Sequence, residues 1–262
     1  MPSRWFFLCF SLICSGCNTV PPEQLQTFQD AQSAFDAEDY PLSVALYQRM
    51  LDEGVRSGAV YFNLGNAYAR AHEPVRAVAS YYLAKRYIPG DTHLNANMRT
   101  VLLEHGGTLP PSDDSIIDSF FFWQASVSSL TKIWVSLALT ALTFFGGLFC
   151  LFRYSFRQSF LQSPWLPRST VVSAILAAIA LASAGYDWYR FDKVERVIVM
   201  MHALPRKGNS EQYEQAFVSP VPFGTLAVIQ DERNEWYSLR FPGGQEGWLP
   251  ASQAFRIYPG LK

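Results

Sequence analysis

Side chains that could carry out chemistry are few in this sequence of 262 residues. The four histidines stand alone at positions 72, 93, 105 and 202, without the spacing of metal ligands. Asp113 and Asp114 are adjacent carboxylates, but they lie in a turn-rich stretch where nothing suggests the burial that a catalytic pair needs. No G-x-S-x-G, H-E-x-x-H or phosphate-binding glycine pattern is present. We therefore expect no enzyme, no cofactor and no bound metal.

Cys17 is the one cysteine for which the sequence suggests a covalent modification of the thiol. Arg4 gives a positive start, Trp5 to Cys14 form an apolar stretch, and Ser15-Gly16-Cys17 follows. This is the layout of a secretory signal peptide. Its end resembles a bacterial lipobox, with Cys14 where that motif usually has leucine. Lipidation of Cys17 is the leading hypothesis, and cleavage by ordinary signal peptidase and a retained signal stay open as alternatives.

The composition indicates a membrane protein. Charged residues make up 16% of the chain, against about 25% in an ordinary soluble protein, and apolar residues make up 49%. The net charge of -1 gives no electrostatic reason to expect nucleic-acid binding. Three of the four cysteines lie within the first 17 residues and the fourth, Cys150, lies in an apolar stretch, so a disulfide scaffold is excluded.

Two apolar stretches are candidates for membrane spans. Ile133 to Phe152 contains no charge, is bracketed by Lys132 and Arg153, and as a helix would extend over ~30 Å. Thr170 to Tyr186 is shorter, at the lower limit for a span, and two aromatic residues follow at the expected interface. The alternative is a pair of buried core helices, which would not explain a charge-free stretch between two basic residues.

Small residues in the second span predict where a helix packs against it. Ala174, Ala178 and Ala182 recur every four residues, and Gly185 follows. Such a stripe lets another helix approach closely, and the nearest partner is the first span. The alternative is that alanine is simply common in membrane helices.

The distribution of arginine predicts the orientation in the membrane. The segment 153–169 contains Arg153, Arg157 and Arg168 and no acidic residue. The positive-inside rule places this loop in the cytoplasm, so that both flanking segments face outward. A secretory signal peptide leads to the same orientation independently, with the outer segments in the periplasm.

Residues 58 to 91 follow the pattern of the tetratricopeptide (TPR) repeat, a helical hairpin. The matching positions are Tyr61, Leu64, Gly65, Tyr68, Ala77, Tyr81, Ala84 and Pro89. Gly65 and Ala77 fall where the two helices touch and only small residues fit. A shift of 34, as from 65 to 31, gives a weaker match over residues 24 to 57, with Ser43 in place of Ala77 and Tyr47 in place of Tyr81. Beyond them, Asp91 can cap a closing helix with Leu94, Met98, Val101 and Leu102 on one face.

The concave face of such an array takes an extended peptide or a partner helix. In this chain the residues predicted to point there are Phe28, Gln32, Asp36, Phe62, Asn66 and Arg70. The amide and guanidinium groups could bind a peptide backbone or carboxylate. Phe28 and Phe62 stand where the family's carboxylate clamp needs lysine, which argues against recognition of an acidic C-terminus. The alternative is an ordinary solvated helix face.

The tail, residues 193 to 262, is predicted to form a small barrel of short strands. The strand segments are RVIVMMHA, TLAVIQD, EWYSLRF and QEGWLP. Gly224-Thr225-Leu226, Glu235-Trp236-Tyr237 and Gly247-Trp248-Leu249-Pro250 resemble a bacterial SH3 domain. Trp236 and Pro250 match the peptide groove of SH3 domains, but the loop after the first strand lacks the tyrosines that complete it. Trp248 is expected in the core.

The predicted architecture is multidomain, with an all-α TPR repeat, two transmembrane helices and an all-β SH3-like barrel. In chain order the segments are a signal peptide (1–17), TPR repeats with a capping helix (24–105), a linker (106–130), a first span (133–152), a cytoplasmic loop (153–169), a second span (170–189) and the SH3-like domain (193–262).

This order of parts resembles the BatE-type proteins of the Bat aerotolerance operon of bacteria. The resemblance implies a non-catalytic adaptor of the cell envelope, anchored in the inner membrane. Its implied partners are membrane proteins with von Willebrand factor A domains and a MoxR-type ATPase system. A second hypothesis is a lipoprotein that binds peptidoglycan through its SH3 domain.

Overall fold

The computed structural model describes residues 21–108, 127–155, 165–189 and 193–257. Within these ranges the chain forms seven α-helices and five β-strands. Two of the helices are long and apolar enough to cross a membrane, and the strands form one antiparallel sheet. The coarse prediction, helices followed by two apolar helices and a C-terminal β region, is therefore confirmed. The predicted signal peptide, Cys17, Asp113 and Asp114 lie outside the described residues.

Five helices precede the apolar pair. They are α1 (Pro22–Asp36), α2 (Tyr40–Asp52), α3 (Gly58–Arg70), α4 (Pro74–Ala84) and α5 (Thr92–Glu104). Asp39, Ser57 and Asp91 cap α2, α3 and α5, because each side chain accepts a hydrogen bond from a backbone N–H three residues later. The predicted cap and the predicted buried face of α5 are both confirmed.

The pairs α1–α2 and α3–α4 are two helical hairpins with related packing. In the second hairpin, a Cβ atom added to Gly65 would lie 2.5 Å from Cε1 of Tyr81, so only glycine fits against this ring. At the matching place in the first hairpin, Ala31 and Ser43 are fully buried, and the Ser43 hydroxyl donates to the Ala31 carbonyl at 2.9 Å. Gly65 therefore lies at a close helix contact, as predicted.

The turns of the two hairpins also match. Glu38 and His72, whose numbers differ by 34, both have left-handed backbones, with φ of 62° and 60°. A non-glycine residue seldom adopts this conformation. Its recurrence at the same place shows that the two hairpins close in the same way, and it places His72 in a turn.

The two apolar helices, α6 (Ser129–Ser155) and α7 (Trp165–Trp188), pack along each other. Their membrane-length segments are Leu130–Phe152 and Arg168–Trp188. Many of their large side chains are exposed, among them Trp134, Phe144, Phe145, Leu151 and Leu181. Exposed aromatic and aliphatic groups of this size suit contact with lipid better than contact with water.

The face of α7 that meets α6 is not the predicted one. Ala178, Ala182 and Gly185 are exposed. The buried residues instead are Ser173, Ala177, Ala180, Ser183, Ala184 and Asp187. Two stripes of small residues run side by side on α7, and the buried one is the stripe that ends in Asp187. This carboxylate pairs with Lys132 of α6, so the ion pair lies on the same side of α7 as the buried stripe.

The sheet contains β1 (Arg196–Val199), β2 (Leu226–Arg233), β3 (Trp236–Arg240), β4 (Glu246–Pro250) and β5 (Ala254–Ile257). The strand order is β4-β3-β2-β1-β5, with all neighbours antiparallel. One face forms a core that includes Val197, Val199, Ala227, Leu239 and Leu249. The sequence pattern predicts the first four strands but not β5, which follows a short 3-10 turn at Ala251–Gln253.

The other face of β1, β2 and β5 packs against the helical segment. Ile198, Leu226, Phe255 and Ile257 are the strand residues in this contact. Ile198 lies opposite Leu226 on one side and Phe255 on the other, so these three form a row across the strands. The row and the apolar side of α5 belong to one hydrophobic cluster, which we call the shared core.

Glycines allow the close approach within the shared core. Leu102 of α5 is fully buried, and a Cβ atom added to Gly224 would lie 2.1 Å from its Cδ2 atom. A Cβ atom added to Gly107 would lie 2.6 Å from the carbonyl oxygen of Phe223. The residues at which the predicted linker begins, Gly106 and Gly107, thus belong to a contact between the helices and the sheet.

Candidate interaction surfaces

The six residues predicted to face a ligand lie on two neighbouring helices, α1 and α3, which contact each other. We call them the α1–α3 face: Phe28, Gln32 and Asp36 of α1, and Phe62, Asn66 and Arg70 of α3. Gln32, Asp36 and Arg70 are exposed, whereas the other three are half-buried. The face therefore presents polar groups to solvent above a floor that contains aromatic rings.

The two phenylalanines occupy equivalent positions in the two hairpins. Phe28 packs edge-on against Tyr47 of α2, with ring centroids 5.7 Å apart. Phe62 lies against Tyr81 of α4, with ring centroids 6.2 Å apart. The rings are thus partly engaged within the hairpins, and their remaining surface can offer only apolar contact to a ligand.

Asn66 is held by two hydrogen bonds. Its Oδ1 atom accepts one from the Tyr81 hydroxyl and one from Nδ2 of Asn97, each at 2.9 Å. Asn97 belongs to α5, so this side chain joins the closing helix to the face. No sequence signal singles out Asn97, because a lone asparagine on an amphipathic helix carries no motif.

The tyrosines beneath the face act as neutral groups. Burial raises the pKa of Tyr47 to about 12, although a hydrogen bond with Asn63 lowers it. Burial also raises the pKa of Tyr81, against the opposing effect of the nearby Arg70. Both phenols stay protonated at neutral pH, so the Tyr81 hydroxyl remains a donor to Asn66.

The charges on the face have opposite signs at equivalent positions. Asp36 ends α1 and Arg70 ends α3, and their numbers differ by 34. Asp36 acts on the pKa of Tyr47 and Arg70 on that of Tyr81, so each charge lies near the tyrosine of its own hairpin. A ligand that lies along the face would thus meet an anion at one hairpin and a cation at the other.

A cleft of about 180 Å³ lies on the sheet. Its walls are His202, Ala203, Leu204, Arg206, Glu211, Trp236, Pro250 and Gln253. Trp236 and Pro250, the two residues predicted to line an SH3 groove, are opposite each other in the β3–β4 register and lie together at this cleft. The charged wall residues, the cation Arg206 and the anion Glu211, come from the segment after β1, where the sequence offers no motif.

Trp248 lies outside the core, contrary to the prediction. In β4 the buried residues are Gly247 and Leu249, and Trp248 is half-exposed between them. Strand alternation places it on the same side of the hairpin as Trp236 and Pro250. The sheet therefore presents two tryptophans on its outer side.

Lys132 and Asp187 form a buried ion pair between α6 and α7. Nζ lies 2.7 Å from Oδ2, and the side chains are 2% and 6% exposed. Hydroxyl groups continue the polar contact along the helices, where the Oγ1 atom of Thr143 lies 2.9 Å from the Oγ atom of Ser173. From the sequence Lys132 is only a flanking residue of the first span, because its partner lies 55 positions away.

Within the described residues, no group of three or more His, Cys, Asp or Glu side chains is placed to hold a metal ion. Cys150 is a half-buried free thiol on α6. The Nδ1–H group of His105 donates to the Val101 carbonyl and the ring lies against Phe223, so its contacts belong to the junction of helix and sheet. The geometry of the described residues thus offers two surfaces for binding, the α1–α3 face and the Trp236 cleft.

Comparisons with known proteins give no relative for this chain. No protein-family model, no curated protein and no solved structure matches it.

Proposed function

We propose that the protein is a non-catalytic adaptor, anchored in the membrane, that binds other proteins through its α1–α3 face. The observation that carries this proposal is the repeated construction of that face. Two hairpins present an aromatic floor, an amide and a charge at positions that differ by 34. Repetition of this kind suits an extended ligand, because successive parts of the ligand then meet an aromatic ring and an amide at equivalent positions.

We assign the hairpins to the TPR type. In support, small residues occupy the helix contacts, fully buried tyrosines lie behind them, and the turns close alike. With only two hairpins and one further helix, the array is near the minimum that buries its own repeats. The shared core adds a surface at the end where a further repeat would otherwise stack.

We assign the sheet to the SH3 type because of the Trp236 cleft, the cleft of the sheet that Trp236 and Pro250 line. The β3–β4 pairing brings Trp236 and Pro250 together at the cleft. The wall opposite them is polar and charged rather than aromatic. This sheet is therefore proposed as a second contact surface, and not as a reader of proline-rich peptides.

The proposed location is the bacterial inner membrane, with the helical segment and the sheet in the periplasm and the loop 153–169 in the cytoplasm. The arginines of that loop and the secretory signal motivate this orientation. An impermeant thiol reagent applied to intact spheroplasts should label Ser210→Cys and not Gln158→Cys. The opposite pattern would invert the topology and exclude periplasmic partners.

The Bat resemblance narrows the proposal to aerotolerance or stress resistance. Its partners would be the von Willebrand factor A domain membrane proteins, within a system that includes a MoxR-type ATPase. This assignment rests on the order of the predicted parts in the sequence. Lipidation of Cys17 belongs to the same proposal and would add a second attachment to the membrane.

A photo-crosslinking residue tests the proposed face. In one variant benzoylphenylalanine replaces Gln32. In the control variant it replaces Gln26, an exposed glutamine of the same helix that is not part of the α1–α3 face. After irradiation of native membranes, we expect a discrete crosslinked protein from position 32 and none from position 26. Equal products from both positions, or none from either, would argue against binding at the α1–α3 face.

The second candidate function is attachment to peptidoglycan through the sheet. The half-exposed Trp236 and Trp248 favour it, since flat aromatic surfaces on one side of a hairpin suit saccharide contact. Detergent-solubilised full chain is mixed with purified sacculi and sedimented, with Trp236→Ala as the variant. Sedimentation that depends on Trp236 would support this function over the adaptor role of the sheet.

A further inference from the structure

The orientation of Asn66 on the α1–α3 face depends on a residue outside that face. A carboxamide oxygen has two lone pairs, and those of Asn66 are used by Tyr81 and Asn97. The NH2 group is the part of this side chain that remains for a ligand. With the oxygen held from two sides, the amide is prevented from rotating and keeps its donor group in one orientation.

The helix that carries Asn97 also contacts the sheet. It lies on α5, five residues before Leu102, which corresponds to ~7.5 Å along a helix. Leu102 is fully buried at Gly224, where an added Cβ atom would lie 2.1 Å away. The same helix thus contacts the α1–α3 face through one side chain and the sheet through another.

We propose that docking of the sheet on α5 sets the hydrogen-bonding orientation of Asn66, which makes Asn97 and Leu102 positioning residues for the α1–α3 face. This inference rests on the proposed function, because it concerns how that face meets a peptide. With the sheet docked, the face presents an amide donor suited to a backbone carbonyl. When the sheet is undocked, α5 is released, Asn97 no longer restrains the amide, and a peptide meets no preorganised partner.

Gly224 and Gly243 form a matched pair for the test. Both have left-handed backbones, with φ of 77° and 86°, so alanine is strained at both. Only Gly224 faces Leu102, whereas an added Cβ atom at Gly243 meets nothing within 4 Å. Comparing Gly224→Ala with Gly243→Ala therefore separates undocking of the sheet from the strain of a turn.

The measurement is the nuclear magnetic resonance signal of the Asn66 side-chain amide. The full chain is reconstituted in lipid nanodiscs with 15N-labelled asparagine, and the signal is identified by its disappearance in Asn66→Gln. The Asn97→Ala variant gives the chemical shift that the Asn66 amide has when the hydrogen bond from Asn97 is absent. We expect Gly224→Ala to move the Asn66 signal toward that position and Gly243→Ala to leave it unchanged.

A second pair serves if Gly224→Ala fails to fold. Leu102 and Leu103 are adjacent on α5, but Leu103 is 53% exposed. Leu102→Ala should reproduce the shift, and Leu103→Ala should not. The inference is overturned if the Asn66 signal stays at its native position in both Gly224→Ala and Leu102→Ala, or if the control variants move it equally. Because no ligand is added, this outcome is independent of whether the face binds peptides.

Discussion

The hairpins α1–α2 and α3–α4 and the apolar pair α6–α7 all bring helices into close contact, but they do so with different chemistry. In α3–α4 a glycine lies directly against a buried tyrosine ring, and the ring fills the space between helices. In α6–α7 the contact is lined by alanines and serines and closed by the Lys132–Asp187 pair. Burial of large rings drives association in water, whereas helices in lipid gain from close packing and from polar contacts.

Breaking the ion pair should have the largest effect of any substitution in this comparison. Asp187→Asn leaves the Lys132 ammonium buried without its counter-charge, and removal of one partner of a buried pair costs about 3–5 kcal/mol. The midpoint of thermal unfolding in detergent micelles should fall sharply. The reversed pair, Lys132→Asp with Asp187→Lys, should recover much of the stability. If Asp187→Asn is tolerated and the reversed pair brings no recovery, the charges do not hold α6 and α7 together.

The same substitution at two glycines tests the helix contact at Gly65 against a matched control in α6. Gly65→Leu places a side chain where Cε1 of Tyr81 lies 2.5 Å from an added Cβ, and overpacking of this kind costs about 1–3 kcal/mol. Around Gly147 of α6 an added Cβ meets nothing within 4 Å, so Gly147→Leu should be tolerated. Circular dichroism of the full chain during heating measures both. Equal melting of Gly65→Leu and wild type would contradict the contact with Tyr81.

Two adjacent alanines of α7 provide a smaller and sharper test. Ala177 is buried against α6, and Ala178 is exposed. Ala177→Leu should separate the helices and lower the midpoint of thermal unfolding. The loss of free energy of unfolding should lie at the low end of about 1–3 kcal/mol, because an apolar helix can shift to make room for the side chain. Ala178→Leu should have no measurable effect. The reverse order of effects would restore the stripe of Ala174, Ala178 and Ala182 as the contact.

The two regions differ in how far the sequence can predict them. Gly65 can be placed at a helix contact because its spacing to Tyr81 is part of a local pattern that recurs. The predicted α7 stripe is wrong because a second stripe of small residues runs beside it, and the buried one ends at Asp187, whose partner Lys132 belongs to another helix. Local periodicity carries no information about such a partner.

The candidate surfaces also contain residues that the sequence can place and residues that it cannot. The resemblance to SH3 domains predicts that Trp236 and Pro250 line one groove, and the structure brings them together at the cleft. The prediction for Trp248 is wrong because alternation alone does not say which side of a strand is covered. Asn97, His202 and Arg206 have no sequence signature, since their places follow from how α5 and the segment after β1 pack in three dimensions.

Binding of a protein partner at the α1–α3 face is measured by crosslinking through position 32 in three backgrounds. With benzoylphenylalanine at position 32, the yield of the crosslinked partner in native membranes is measured for the wild-type face, for Arg70→Ala and for Arg76→Ala, an exposed arginine of α4 outside the face. All three chains should melt alike. Arg70→Ala should lower the yield several-fold while Arg76→Ala leaves it unchanged. An unchanged yield in Arg70→Ala would show that the α1–α3 face does not hold the partner.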